Sequence, residues 1–335
     1  MTDNIKIAVD AMGGDNSPHK IIEGIKISLD TNKDNFFYIY GKKDVLEKSI
    51  SKYPTLKGYY EIINANDVII DSESPLVAAK RGKESSMWKA IESQKENKTD
   101  ISLSAGNTGA LLVISRLILN SIEGINKPAL AALWPNQKNA NLVLDLGANI
   151  ECNEKNLVDF ACMGSALSKS LFNIDLPKVA LLNVGQEEIK GSEILKKTFA
   201  ILKNNKLKNF NFSGYIEGNH IMDGNVDVIV TDGFTGNIAL KTAEGTANFI
   251  TKNLKQALNK LSVLLSYYSL KKFKAKLDPR KYNGAIFLGL QGPVVKSHGS
   301  TDALGFAYSI QTCNKIVKSD LINKIKSNLI TVDAK

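Results

Sequence analysis

The sequence predicts an α/β fold, a Rossmann-like and mostly parallel sheet flanked by helices, from three observations. Short runs of apolar, β-branched residues recur along the chain, and segments of helical periodicity separate them. Most of these runs end in a loop rich in Gly, Asn, Asp and Thr. Such alternation is typical of parallel strands joined by helices. Because no repeat, low-complexity tract or Pro/Gly/Ser-rich linker interrupts the pattern, we predict a single domain over residues 1–335.

Apolar segments with the length and composition of buried strands occur from the N-terminal region onwards. The segments that we predict to be strands are Ile5–Asp10, Phe36–Tyr40, Ile101–Ser104, Asn141–Leu146, Val179–Val184 and Val226–Thr231.

A long amphipathic segment over residues 246–278 stands apart from this rhythm. Apolar side chains recur at helical spacing from Ile250 to Tyr268, with lysines between them, which predicts a helix or a helix pair. A basic run, Lys271, Lys272, Lys274 and Lys276, follows before Pro279. Packing against the core or a dimer partner is the ordinary interpretation. Contact with an anionic membrane surface is the alternative that the lysines favour.

Composition and charge narrow the class of protein. With 43% hydrophobic and 23% charged residues the chain is expected to be globular, and the lack of a long apolar run or a signal-peptide pattern predicts a cytoplasmic location. The formal charge of +9 suits an acidic protein partner or an anionic membrane. Nucleic acid is the weakest candidate, because no basic run is interleaved with aromatic residues. The spacing of the three Cys and three His predicts neither a disulfide nor a metal site.

Loops of one chemical type follow five of the predicted strands. They are Asp10–Asp15, Ser104–Gly109, Asp145–Asn149, Asn183–Gly185 and Thr231–Asn237. The carboxyl ends of parallel strands are where ligands bind, and each loop feeds a helix whose N-terminal amides favour an anion. We therefore expect the five loops to meet and bind phosphate. A single loop of this kind is more often a plain turn, but five of them make that alternative weaker.

The candidate binding residues come from these loops. They are Asp10, Gly13, Gly14, Gly106, Asn107, Thr108, Asn149, Asp232, Thr235 and Gly236. Glycine lets the backbone approach a ligand closely, while Asn and Thr can donate hydrogen bonds to phosphate or an oxyanion. Helix N-capping is the competing interpretation for the Asn and Thr residues, and turn closure for the Asp residues.

Lys190, Asn237 and His298 are the candidate catalytic residues. Lys190 follows the Asn183–Gly185 turn and is predicted to precede a helix that opens at Gly191, although a solvated surface lysine is an equal alternative. His298 lies in a Gly/Ser loop beside a second positive charge, where it could contact an anion or act as an acid. A local structural role is the favoured alternative for His298.

Several familiar motifs are missing from the sequence. It contains neither a G-x-S-x-G nucleophile elbow nor a nucleotide-binding G-x-G-x-x-G or G-x-x-x-x-G-K-[ST] run, so a nucleotide is not implied. The absence of a protein nucleophile fits a reaction in which bound phosphate attacks directly while the protein orients it and stabilises the oxyanion.

Ordered motifs over nearly the whole chain resemble the PlsX family of phosphate acyltransferases. They include VDAMGGDNSP (9–18), SAGNTGALL (104–112), NVGQEEIKG (183–191), VTDGFTGNIALKTAEG (230–245) and GPVVKSHGSTDA (292–303). In that family Lys190 and Asn237 occupy positions associated with activity. Two departures, Lys127 in place of an arginine and His220 in place of an aspartate, leave local charge pairing open there.

The resemblance implies transfer of a long-chain acyl group from acyl carrier protein to inorganic phosphate, without a cofactor. The acyl phosphate would serve the membrane acyltransferase that acylates glycerol 3-phosphate. It also implies the fold of phosphotransacetylases and isopropylmalate dehydrogenases, a homodimer, and peripheral association with the membrane. The alternatives are a phosphotransacetylase-like enzyme acting on acyl-CoA and an inert scaffold that binds acyl carrier protein. A dehydrogenase is less favoured, because the dinucleotide fingerprint is missing.

Overall fold

An 11-stranded sheet forms the centre of the protein in the computed structural model, which describes residues 4–204, 209–258, 266, 268, 271, 272 and 278–329. The strands are β1 (Ile5–Asp10), β2 (Asn35–Gly41), β3 (Tyr60–Asn64), β4 (Ile101–Ser104), β5 (Ala129–Pro135), β6 (Ala140–Leu144), β7 (Lys178–Leu182), β8 (Asn211–Ile216), β9 (Val228–Val230), β10 (Ala285–Leu288) and β11 (Val294–Lys296). Their order across the sheet is β3-β2-β1-β4-β11-β10-β5-β6-β9-β7-β8.

The described α-helices cover both faces of this sheet. They are α1 (His19–Thr31), α2 (Lys43–Ile50), α3 (Pro75–Arg81), α4 (Ser86–Lys95), α5 (Thr108–Leu119), α6 (Glu154–Phe172), α7 (Glu193–Asn204), α8 (Gly233–Ala257), α9 (Ala303–Lys318) and α10 (Leu321–Asn328). Helix α6 begins with a capping box in which Asn153 and Asn156 satisfy each other's backbone N–H groups. Helix α1 packs against α9, where a Cβ on Gly24 would lie 3.0 Å from the Phe306 ring.

All six predicted strands are present, with ends within two residues of the expected ones, and the predicted mostly parallel α/β class is confirmed. The pattern missed β3, β5, β8, β10 and β11. Strand β5 is an almost continuous apolar run, and a short buried run carries no periodicity that separates a strand from a helix. Strands β10 and β11 are only four and three residues long.

The direction of the strands reverses in the middle of the sheet. Strands β1 to β4 and β11 run parallel, β10 is antiparallel to both β11 and β5, and β5 is antiparallel to β6. Strands β6, β9, β7 and β8 are again parallel to one another. The carboxyl ends of β1, β4 and β11 therefore form one edge, the Gly14 edge. Those of β6, β7 and β9 form the opposite one, the Asn237 edge. The expectation that five loops meet at one edge is wrong within a single chain.

The amphipathic helix also begins earlier than expected. Helix α8 starts at Gly233 rather than near residue 246, so Thr235, Gly236 and Asn237 lie in its first turns instead of in a loop. It continues to Ala257, and most of the rest of the predicted segment lies outside the described residues. None of the helices in the described ranges has the length and apolar character required to cross a bilayer.

Candidate functional site

Asp10 ties three elements together at the Gly14 edge. Its carboxylate accepts hydrogen bonds of 2.6 Å from the hydroxyls of Ser86, at the start of α4, and Ser104, at the end of β4. Burial raises the pKa of this carboxyl, although both hydroxyls act to lower it. With both oxygens occupied inside the protein, Asp10 holds the ends of β1 and β4 in place.

Glycine is required where the loops of the Gly14 edge meet. A Cβ on Gly13 would lie 2.5 Å from the backbone nitrogen of Gly106. Gly14 has a positive φ of 79°, and a Cβ there would lie 2.9 Å from the carbonyl oxygens of Ala105 and Gly299. The loops after β1, β4 and β11 therefore touch through backbone alone. We call this contact of Gly13, Gly14, Ala105, Gly106 and Gly299 the Gly14 cradle.

Asn107 and Thr108 lie beside the cradle at the start of α5. The Asn107 side chain caps the helix by accepting from Ala110 N, and its amide donates to the carbonyl oxygens of Asp71 and Glu73, 2.9 Å away in each case. Both amide hydrogens are thus used within the protein, which gives Asn107 a role in fixing the loop. Its contact with substrate, and that of the exposed Thr108, stay predictions.

His298 stands on the rim of the cradle, and its ring is exposed. Its backbone N–H donates to Asn283 Oδ1 at 2.9 Å, and its Nδ1 accepts from Ser300 N at 3.3 Å. A neutral ring that accepts at Nδ1 carries its proton on Nε2, so this loop orients a donor near the cradle.

Two buried lysines at the cradle, Lys20 and Lys296, were missed from the sequence. Lysines are nearly always exposed, and in this Lys-rich chain neither differs by type from the others. The one available signal was the position of Lys296 at the end of an apolar run, directly before the Ser297-His298-Gly299 loop.

Asp145 organises the Asn237 edge. One carboxylate oxygen accepts from the backbone nitrogens of Leu130 and Ala148, both at 3.0 Å, and the other accepts from the backbone and side-chain nitrogens of Asn149 at 2.7 and 2.8 Å. Burial raises the pKa of Asp145, and these hydrogen bonds act to lower it. The Asn149 amide also donates to Pro128 O, so both residues shape the loop after β6.

The start of α8 packs directly onto this loop. Gly236 lies against the Asp145 carbonyl oxygen, leaving no room for a Cβ, and Gly233 N donates to Asn149 O at 2.8 Å. Asp232 caps the helix by accepting from the backbone nitrogen and hydroxyl of Thr235 at 2.8 and 2.9 Å. In this structure both residues therefore serve helix capping, with Asp232 as the cap and Thr235 as the donor to it.

Asn237 is different, because its side-chain amide forms no hydrogen bond with any residue in the described ranges. It is half-buried on α8 and faces Gly147, whose Cβ position lies 3.4 Å from Asn237 Cβ. Its amide is therefore free to bind a ligand at this edge.

Lys190 lies in an exposed loop that a buried asparagine holds. Asn183 Nδ2 donates to Lys190 O at 3.2 Å, and Gly191, with a φ of 90°, packs against the same side chain. The Lys190 ammonium forms no ion pair or hydrogen bond with the part of the chain that the structure describes. Helix α7 begins at Glu193, so the expectation that it opens at Gly191 is wrong.

A cleft of about 630 Å³ opens beside these elements. Ser192 and Leu195 line one side, just after the Lys190 loop, and Cys152 and Asp232 lie on its other walls. Burial raises the pKa of the Cys152 thiol to about 11, so the thiol is protonated near neutral pH and unsuited as a nucleophile.

The candidate residues therefore separate into two groups. Asp10, Gly13, Gly14, Gly106, Asn107, Thr108 and His298 lie at the Gly14 edge, whereas Asn149, Lys190, Asp232, Thr235, Gly236 and Asn237 lie at the Asn237 edge.

Known proteins resemble this chain over almost its whole length. A sequence profile of the family described as "Fatty acid synthesis protein" matches residues 5–324. A phosphate acyltransferase from Pelagibacter ubique is 58% identical over 98% of this chain and 100% of the relative. A phosphotransacetylase structure from Streptococcus pyogenes superposes with a TM-score of 0.62 at 15% identity, covering 96% of this chain and 95% of the other.

The 4-hydroxythreonine-4-phosphate dehydrogenase of Klebsiella pneumoniae reaches a TM-score of 0.53 at 14% identity, covering 94% of this chain and 99% of the other. At such low identity the phosphotransacetylase and dehydrogenase structures are evidence for the fold alone. They confirm the expected phosphotransacetylase- and dehydrogenase-like architecture. The profile match and the identity to curated relatives show that the chain belongs to the fatty acid synthesis protein family, the PlsX phosphate acyltransferases that its motifs resemble.

Proposed function

We propose that this phosphate acyltransferase moves a long-chain acyl group from acyl carrier protein to inorganic phosphate. One observation carries the proposal: in a chain that belongs to this family, the Lys190 ammonium and the Asn237 amide are unused by the described protein at one sheet edge. A cation and an amide donor are the groups that a phosphate nucleophile and a developing oxyanion require.

The chemistry needs no protein nucleophile. A phosphate oxygen attacks the thioester carbonyl carbon, the C–S bond breaks, and the carrier leaves as a thiolate. The proton that the phosphate monoanion or dianion loses ends on this sulfur, so the products are acyl phosphate and the carrier thiol. The protein's contribution is to place phosphate and thioester about 3 Å apart and to stabilise the oxyanion.

The site in this proposal is shared by two chains. The Gly14 cradle and His298 of one chain bind phosphate. In the other chain the Lys190 ammonium faces this phosphate and the Asn237 amide holds the thioester carbonyl. In one chain these groups lie at opposite edges of the sheet. A homodimer in which the Asn237 edge of one subunit faces the Gly14 edge of its partner brings the reactants together. Two-fold symmetry gives each dimer two such sites.

Helix α8 supplies an exposed apolar surface that fits such a dimer or a membrane. Phe249 and Ile250 are 69% and 57% exposed, and Phe234 and Ile238 are exposed nearer its start. Apolar patches of this kind mark interaction sites. We propose that α8 contributes to the homodimer. With the lysines around residue 271 it also places the protein peripherally on anionic membranes, near the glycerol-3-phosphate acyltransferase that uses its product.

A direct assay tests the reaction. The purified protein is incubated with palmitoyl-acyl carrier protein, with and without phosphate, and acyl phosphate is trapped as the hydroxamate. We expect hydroxamate only when phosphate is present. Thioester loss without phosphate would contradict the proposal. Activity confined to acetyl-CoA would favour a phosphotransacetylase, and binding of carrier without any turnover would favour a scaffold.

A further inference from the structure

Two lysines are buried at the Gly14 cradle, at the end of the fold that receives phosphate in the proposed function. Lys20, in the first turn of α1, is 6% exposed, and Lys296, the last residue of β11, is 8% exposed. Burying a charge is costly unless an opposite charge or several hydrogen bonds compensate it. A pair of buried cations therefore calls for a partner.

The two ammonium groups gather around one point of the backbone. Lys20 Nζ donates to the Gly299 carbonyl and lies 3.0 Å from the Cβ position of Gly14. Lys296 Nζ donates to the carbonyl oxygens of Ser297 and, at 3.3 Å, Ala105. Because the Ala105 and Gly299 carbonyls both border Gly14, both ammonium groups lie beside the cradle.

Neither lysine forms a direct ion pair with any carboxylate in the described ranges. Asp15 and Asp71 act on Lys20, and Asp71 and Asp10 act on Lys296, in each case from beyond ion-pair distance. Burial lowers the pKa of both lysines, that of Lys296 to about 8, and the Lys20 charge contributes to this lowering. Lys296 is thus mostly charged at pH 7 and is repelled by its neighbour.

The cradle is accessible from solvent. Asp15 and His298 on its rim are exposed, and Gly14 and Gly299 are partly exposed. A small anion can therefore approach the cradle from its rim. Two cations beside a glycine-lined backbone suit a compact anion of charge two better than a carboxylate of charge one.

We propose that Lys20 and Lys296 bind the phosphate substrate as its dianion in the Gly14 cradle. This inference rests on the proposed function, since it assigns the residues that hold its nucleophile. The dianion supplies the direct ion pairs that the two lysines lack within the described residues, and it leaves a phosphate oxygen at the rim, beside His298, to meet the thioester.

Phosphate binding, measured as the rise in Tm on titration with phosphate, tests directly whether the two lysines hold the anion. The probe is inorganic phosphate, titrated against the wild type, Lys20→Met, Lys296→Met and, as a control from the same helix, Lys26→Met, whose ammonium pairs with Asp30 on the surface. We expect phosphate to raise the Tm of the wild type and of the control alike. In the two cradle variants we expect about tenfold weaker phosphate binding or more, since each removes a charge-assisted hydrogen bond.

The unliganded Tm separates lost binding from lost folding. Methionine matches the length of the lysine stem without its charge, so both cradle variants should unfold no earlier than the wild type when phosphate is absent. Lys296→Arg should recover part of the phosphate response because it restores the charge. Cradle variants that fold normally and respond to phosphate like the wild type would overturn the inference.

Steady-state assays identify which phosphate occupies the cradle. If the ligand is the substrate, Lys296→Met raises the KM for phosphate about tenfold or more and leaves the KM for acyl carrier protein unchanged. A rise in the KM for the carrier alone would assign the pocket to the phosphate of its prosthetic group and overturn the inference. Acyl phosphate formation with an unaltered phosphate KM would refute the lysine pair but not the proposed reaction. Phosphate binding by the lysine pair without any acyl transfer would support the pair and refute the proposed reaction.

Discussion

Most polar side chains of the two sheet edges are occupied by the protein itself, and Lys190 and Asn237 are exceptions within the described residues. Asn107, Asn149, Asp145 and Asp232 use their polar atoms to cap helices or close loops. A side chain that shapes a loop and one that binds a ligand can have the same residue type and the same place in the sequence. Their hydrogen bonds distinguish them.

Removing either free donor should impair catalysis more than folding. We expect Lys190→Ala and Asn237→Ala to lower kcat about 10²- to 10³-fold, the usual effect of losing an oxyanion or phosphate donor. Both variants should keep the Tm of the wild type. Lys197→Ala, which removes an exposed lysine of α7, is the control and should retain full activity. Full activity of Lys190→Ala would remove the role assigned to Lys190.

Asp145 should matter for stability, because five nitrogen donors converge on its carboxylate, four from the loop after β6 and one from Leu130 in β5. Asp145→Asn points an amide N–H₂ at some of these donors, and we expect unfolding to become easier by about 2–4 kcal/mol. Asp232→Asn is the matched control, because asparagine caps helices as well as aspartate does. Urea denaturation measures both, and equal stabilities would contradict the role of Asp145.

Lys296 should make stability depend on pH. Its folded pKa of about 8 lies below the ordinary lysine value of 10.5, so between these values the unfolded chain binds more protons. Stability from this residue therefore rises as pH increases from about 8 to 10.5, by up to ~3 kcal/mol. Lys20, Asp71 and Asp10 are the charged groups that act on it.

The comparison of wild type with Lys296→Met measures this contribution, because groups that do not interact with Lys296 titrate equally in both. We expect the difference in unfolding free energy to shrink as pH rises through that range, and saturating phosphate to reduce it at pH 7. A difference that does not change with pH would show that Lys296 has the same pKa in the folded and the unfolded chain, and would contradict this prediction.

Among the elements, the strands with a clear local sequence pattern could be predicted, whereas the strands that depend on pairing with distant strands could not. Strand β1 and strand β4 were found with their bounds, because each is a β-branched or apolar run that ends at a Gly-rich loop. Strand β10 is a four-residue apolar run whose antiparallel pairing depends on β5 and β11. The position of the glycine loops was therefore visible in the sequence, whereas their separation onto opposite edges was not.

Helix α8 carries a prediction of its own. If its exposed apolar side chains form the homodimer, Phe249→Ser combined with Leu254→Ser should weaken self-association about tenfold or more, because buried aromatic anchors dominate interfaces. Light scattering during size-exclusion chromatography measures the mass. Lys252→Ala, on the same helix and also exposed, should leave it unchanged. An unaltered mass for the double variant would assign this face to the membrane, which liposome flotation would then detect.

At the scale of the whole molecule, the reversal of strand direction makes activity a property of the dimer. Lys190→Ala and Lys296→Met chains, each impaired on its own at a phosphate concentration far below the raised KM of Lys296→Met, are mixed under conditions that allow exchange. They form mixed dimers in which one of the two sites is complete. We expect about a quarter of wild-type activity at equal amounts, as random pairing in a two-fold dimer predicts. Mixed dimers without activity would place the reacting groups within one chain.

The sheet order also bears on how the protein is made. Strand β4 pairs with β1 on one side and with β11 on the other, and α1 packs on α9, so the part of the sheet translated first is completed by the part translated last. Until the ribosome has synthesised β11 and then α9, the nascent chain exposes an unpaired strand and an uncovered apolar helix face, which are sites of aggregation and chaperone binding. The same late strand delivers a cradle lysine, so a nascent chain that has not reached it cannot yet bind phosphate there.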